Sequence, residues 1–81
     1  MKIKILFFAT LRGYVGEKSI EIQVPNGITV GSLKKMLVER YPRMAASESS
    51  IMTAVNREYA SDGQELTPDS EIAFFPPVSG G

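Results

Sequence analysis

The sequence predicts a two-layer α+β domain in which one main helix covers a mixed sheet of four to five strands. Three observations carry that prediction. The chain has 81 residues, room for a single domain that buries only about 60% of its unfolded surface. Four segments show the period-2 or two-faced apolar pattern of strands, and one shows the 3.6-residue pattern of a long helix. A lone helix cannot cover both faces of a sheet, so it must lie on one side.

Residues 1–9 alternate at their start. Ile3, Ile5 and Phe7 share one face and Lys2, Lys4, Leu6 and Phe8 the other, and the segment becomes apolar on both. This predicts a strand that begins near solvent and runs into a covered region. Gly13 and Gly16 predict a turn. The strict alternation of Ile20, Ile22 and Val24 predicts a second strand, paired with the first as a hairpin. Pro25-Asn26-Gly27 is a turn signal. Thr29 is then placed to cap a helix over about 30–41. Its inward stripe is Val30, Leu33, Leu37 and Tyr41, its outer side carries Lys34, Lys35, Glu39 and Arg40, and Pro42 ends it. Residues 45–50 read as a small-residue loop with room for a helical turn, and 51–56 as a third strand. Asp62-Gly63 and Thr67-Pro68-Asp69 read as turns, and 71–75 as a last strand ended by Pro76-Pro77. The order strand, strand, helix, strand, strand fits the β-grasp arrangement typified by ubiquitin, in which the first and last strands lie parallel at the sheet centre. The predicted organisation is a β-grasp domain over 1–78 and a flexible Ser-Gly-Gly tail over 79–81.

Composition narrows function by exclusion. Nine basic and nine acidic side chains give a formal charge of zero, which argues against a nucleic-acid partner. With no Cys and no His, disulfides, Cys/His metal sites, thiolate nucleophiles and imidazole acid–base chemistry are excluded. No apolar run approaches the ~20 residues of a membrane span, and the N-terminus lacks a signal-peptide layout. The expectation is a cytoplasmic protein with no membrane partner and no bound metal or cofactor. Glu48, Glu58, Glu65 and Asp69 sit in polar surroundings and read as solvated, and Asn56-Arg57-Glu58 reads as a turn with an exposed charge pair. Residues 1–40 carry seven basic and three acidic groups, and residues 41–81 two and six. That split reads first as ordinary scatter over a small surface, and alternatively as an acidic C-terminal half facing a basic partner.

The tail Phe75-Pro76-Pro77-Val78-Ser79-Gly80-Gly81 carries the chemistry. Two prolines cannot continue a ladder and favour an extended chain, so they push Val78 to Gly81 away from the body. Glycine lacks a Cβ and can thread a narrow channel. A terminal carboxylate is anionic at neutral pH and a poor electrophile. Adenylation would convert that of Gly81 into a mixed anhydride open to a sulfur or nitrogen nucleophile. Without cysteine, sulfur could be carried only as a C-terminal thiocarboxylate. Alternation along the last strand turns Ile72 and Phe74 toward the helix. Phe75 then joins Leu6 and Phe8 on the opposite face, at the root of the tail with Pro76 and Pro77, as a docking patch.

Phe74-Phe75-Pro76-Pro77-Val78-Ser79-Gly80-Gly81 resembles the tail of the small sulfur-carrier subunit of molybdopterin synthase, and the likeness covers nearly the whole chain. Residues 3–9 with Leu11-Arg12, Thr29 to Leu33, Val55 to Tyr59 and Leu66 to Ile72 are similar to corresponding stretches of that family. Gly13 stands where the family often has Glu, and Ser70 where it often has Gly. The resemblance implies that a partner like ubiquitin-activating enzyme uses ATP and Mg to make a glycyl adenylate at Gly81. A persulfide sulfur then converts it to a 1-thioglycine. Val78, Ser79 and Gly80 thread the thiocarboxylate into the large synthase subunit, where it donates sulfur to cyclic pyranopterin monophosphate. The chain would then be a co-substrate in a heterotetramer rather than an enzyme alone. Two alternatives share the Gly-Gly end: a ubiquitin-like modifier joined to target lysines through Gly81, and the sulfur carrier of thiamine biosynthesis.

Overall fold

The alternation of β1 (Lys2–Phe7) is realised as drawn from sequence: in the computed structural model, which describes residues 1–77, Ile3, Ile5 and Phe7 are buried while Lys2 and Lys4 are exposed. β5 (Glu71–Phe75) buries Ile72 and Phe74 in the same layer and runs parallel to β1, from Lys4 opposite Glu71 to Phe7 opposite Phe74. β2 (Ser19–Gln23) pairs antiparallel with β1, and β3 (Met52–Val55) antiparallel with β5. With the short β4 (Glu58–Tyr59), the sheet order is β2-β1-β5-β3-β4. Both central strands lose water on their inward face, where one apolar core from Ile3 to Phe74 fills the space beneath the helices.

The β1–β2 connection is a correction. Instead of a simple turn, residues Ala9–Val15 form a helix, α1. Leu11 is fully buried, and its burial outweighs the poor helix propensity of Gly13. Gly16 ends α1 in the left-handed region, φ 82°, its N–H donating to the Arg12 carbonyl at 2.9 Å. Residues 42–50, expected as a loop from 45 onward, form a run of 3-10 turns (Pro42–Ser50) that buries Met44. β4 was not signalled by a pattern of its own, because two residues are too few to show a period.

α2 (Val30–Arg40) begins as expected, with the Ser32 N–H donating to Thr29 Oγ1 at 3.2 Å, and stops before Pro42. Its outer side is a second correction. Lys34 is 7% exposed, because positions 30, 33, 34 and 37 form one continuous stripe on a 3.6-residue helix. Its ammonium donates to Asp62 Oδ1 at 2.8 Å and to the Ile51 carbonyl at 3.1 Å. Asp62 also caps the start of α2, accepting the Gly31 N–H on its carbonyl at 2.8 Å. A Cβ at Gly31 would stand 3.2 Å from that oxygen, so alanine there requires the Asp62 carbonyl to give by a few tenths of an ångström. Asp62→Ala is expected to destabilise the domain by about 1–2 kcal/mol, because it strips a nearly buried ammonium of its charged partner. Lys34→Met, which fills the same space without a charge, should cost less. Urea melts of the two variants check the order.

The hairpin from β3 to β4 turns on Asn56 and Arg57, both in the left-handed region at φ 49° and 74°. Asparagine tolerates that region, whereas for most other side chains it costs roughly 1–2 kcal/mol per residue. The predicted Arg57–Glu58 charge pair is not formed among the described residues.

Candidate functional site

The face of the sheet turned away from α2 is built from the odd partners of the core strands. Leu6, Ala73 and Phe75 lie on it at the centre, Lys4 and Glu71 at one end, and Met52 and Ala54 on β3. No helix among the described residues covers it. α1, the element that sequence reasoning lacked, sends Leu11 into the core on the other side. The apolar side chains therefore stay wet: Phe8 is 48% exposed, Met52 40% and Tyr59 75%, while Leu6 and Phe75 are half-buried. An aromatic group left in water at the middle of such a strip suits the core of an interface.

β1 and β5, being parallel, end on the same side of the sheet, and the Phe8 N–H donates to the Phe74 carbonyl at 3.1 Å just past the paired residues. Phe8 and Phe75 are thus held where the chain leaves the sheet through Pro76 and Pro77, the first half-buried and the second exposed. Of the predicted docking residues, Phe8, Phe75, Pro76 and Pro77 lie at that end of the sheet, and Leu6, opposite Ala73, lies further in along the same face. Val78, Ser79, Gly80 and Gly81 lie outside the described residues.

Two members of the strip escaped sequence reasoning. The Tyr59 ring lies 6.0 Å from that of Phe75, centroid to centroid, tilted by 60°. Met52 stands opposite Phe75 in register. Alternation from Thr53 and Val55, both buried, would have placed Met52 outward. Tyr59 depends on β4, whose register is set by a two-residue turn that carries no glycine signal.

Charge on this face does not follow the two halves of the sequence, because β1 and β5 are neighbours and bring Lys4 beside Glu71. Lys4, Arg12 and Lys18 rim a hollow of about 320 Å³ floored by Leu6 and Phe8. Lys2 and Glu21 form an exposed ion pair at 3.3 Å, of a kind that contributes little. Among the described residues no three carboxylates group closely enough to hold a metal, and no helix is long and apolar enough to cross a membrane.

The chain is 37% identical to the molybdopterin synthase sulfur carrier subunit of Caenorhabditis elegans, over all of this chain and 99% of the relative. It is 37% identical to that of Escherichia coli strain K12, over 98% of this chain and 99% of the relative. Its fold is similar to the crystal structure of SAMP1, a small archaeal modifier protein from Haloferax volcanii, with a TM-score of 0.85, 28% identity and full coverage of both chains. The ThiS family model matches residues 5–81, so the open apolar sheet face beside a Pro-Pro exit to a Gly-Gly end is carried by a chain that belongs to that family.

Proposed function

We propose that this chain is a sulfur carrier for molybdenum cofactor biosynthesis, acting as the small subunit of molybdopterin synthase. The observation that carries the proposal is the placement of Phe8, Phe75 and Tyr59 on an uncovered face at the point where the chain departs toward Gly81. The names of its relatives, which it matches from end to end, support the same assignment. In this function the Gly81 carboxylate attacks the α-phosphorus of ATP in a partner like ubiquitin-activating enzyme, and pyrophosphate leaves. ATP and Mg belong to that partner. A persulfide sulfur then attacks the acyl adenylate and AMP departs, leaving an acyl disulfide. A thiol of the activating partner or sulfur donor cleaves its S–S bond, forming a disulfide with the donor sulfur and releasing the thiocarboxylate. Val78, Ser79 and Gly80 thread it into the large subunit. There the sulfur attacks cyclic pyranopterin monophosphate, two rounds build the dithiolene, and basic groups of that subunit stabilise the anionic intermediates. The chain has no catalytic machinery of its own in this scheme, works in the cytoplasm, and assembles as two small and two large subunits.

Likeness to SAMP1 favours a second use of the same end, conjugation of Gly81 to lysine amines. Intact mass of the protein purified from its own host separates the two. Replacement of one oxygen by sulfur is the expected result. A Gly-Gly remnant on lysines of other proteins, with no sulfur-bearing form, would replace the carrier function by the modifier function.

A further inference from the structure

Asn56 and Arg57 form a two-residue hairpin loop in which both backbones are left-handed. This mirror-image turn matches the twist of its strands, and its second central position is the natural place for glycine. Arginine there is held in a conformation that its Cβ disfavours, and local strain of this kind persists chiefly at functional sites. Inside the domain nothing offsets it. Among the described residues Arg57 makes no ion pair and no cation–ring contact, although Glu58 is its neighbour in sequence. The turn itself is fixed: the Asn56 N–H donates to the Glu71 carbonyl at 2.8 Å, and Asn56 Oδ1 accepts the Glu71 N–H at 2.9 Å. Two residues further on, Tyr59 lies against Phe75 at the margin of the apolar strip.

We infer that Arg57 is a specificity-determining residue of the docking surface, held out on a rigid tip to meet a carboxylate of the large synthase subunit. The hairpin tip lies beside Glu71, at the end of β5 away from Phe75, so a partner seated on Phe75 and Tyr59 meets it by covering the length of the exposed face. A guanidinium fork, always charged and weakly hydrated, matches a carboxylate at such a margin. Strain in the free chain is then offset in the complex. The inference rests on docking to the large subunit as proposed above.

Calorimetric titration of the full chain against that subunit, at low and high salt, tests it together with thermal melts. Arg57→Gly should raise the melting temperature by about 4–8 °C, as relief of a strained position would. It should also weaken binding about tenfold at low salt. The difference should close near 1 M salt, where charges are screened within about 3 Å. Arg57→Lys, which keeps both charge and strain, should melt like the parent and lose less affinity than Arg57→Gly. Unchanged binding of Arg57→Gly, or an affinity of Arg57→Lys as low as that of Arg57→Gly, overturns the inference while docking stands. A melting temperature of Arg57→Gly that stays or falls removes its premise. Failure of the parent chain to bind overturns docking itself and this inference with it.

Discussion

Adding one residue after Gly81, or deleting Gly81, is expected to abolish sulfur delivery while thermal unfolding stays where it was. Under the proposed mechanism the reacting atoms belong to the terminal carboxylate of Gly81, so a longer chain carries its carboxylate past the activating partner's catalytic groups and a shorter one stops before them. Misplacement by one residue, about 3.5 Å of extended chain, exceeds what a positioned reaction tolerates. Stability should be indifferent, because every buried apolar side chain among the described residues lies between Ile3 and Phe74. Gly80→Val should behave similarly, since a branched side chain would widen the segment that has to thread the partner. The measurement is molybdopterin formation in a reconstituted system with the activating partner, a sulfur donor and the large subunit. An extended variant that works at the parent's rate would sink the terminal-carboxylate mechanism.

Phe74 and Phe75 are adjacent in sequence and are expected to fail in opposite ways. Phe74 is fully buried and its ring lies 6.3 Å from that of Phe7, centroid to centroid. Phe74→Ala should cost about 3–5 kcal/mol, much of the stability of so small a domain. Phe75 is half-buried, against Tyr59, on the uncovered face. Phe75→Ala should weaken binding to the large subunit by about 2 kcal/mol, roughly thirtyfold in affinity. Its effect on folding should be limited to about 1 kcal/mol from the lost aromatic pair. Denaturant melts and calorimetric titration of both variants decide the matter. A Phe75→Ala chain that binds with the parent's affinity would relocate the docking surface.

The sheet was legible because β1 and β5 announce their inner faces twice over, once in Ile3-Ile5-Phe7 and again in Ile72-Phe74. The two ends of α2 were legible because Thr29 is a capping residue and Pro42 a stop. What was not legible depended on tertiary context. Gly13 and Gly16 look alike in sequence, yet one sits inside α1 and the other terminates it, because burial of Leu11 decides the local conformation. Lys34 was assigned to solvent from its charge, although its position on the helix placed it inward. Its partners, Asp62 and the Ile51 carbonyl, are 28 and 17 residues away. In the candidate site, Leu6, Phe8 and Phe75 followed from alternation. Met52 lay within reach of the same alternation through Thr53 and Val55, whereas Tyr59 joined them only once the register of β4 was known.

The parallel pairing of β1 with β5 has a consequence for the timing of synthesis. The strand that fills the centre of the sheet is also the last to be made, so β1 must wait for more than sixty intervening residues before it gains its inner neighbour. Contacts of that separation slow folding and leave the apolar edge of β1 open until the chain is nearly complete. Residues 78–81 follow the strand that closes the core after only two prolines. A chain released before Glu71 would therefore lack both its central strand and Gly81, and under the proposed mechanism an activating partner that requires the finished sheet face would charge only molecules that have folded.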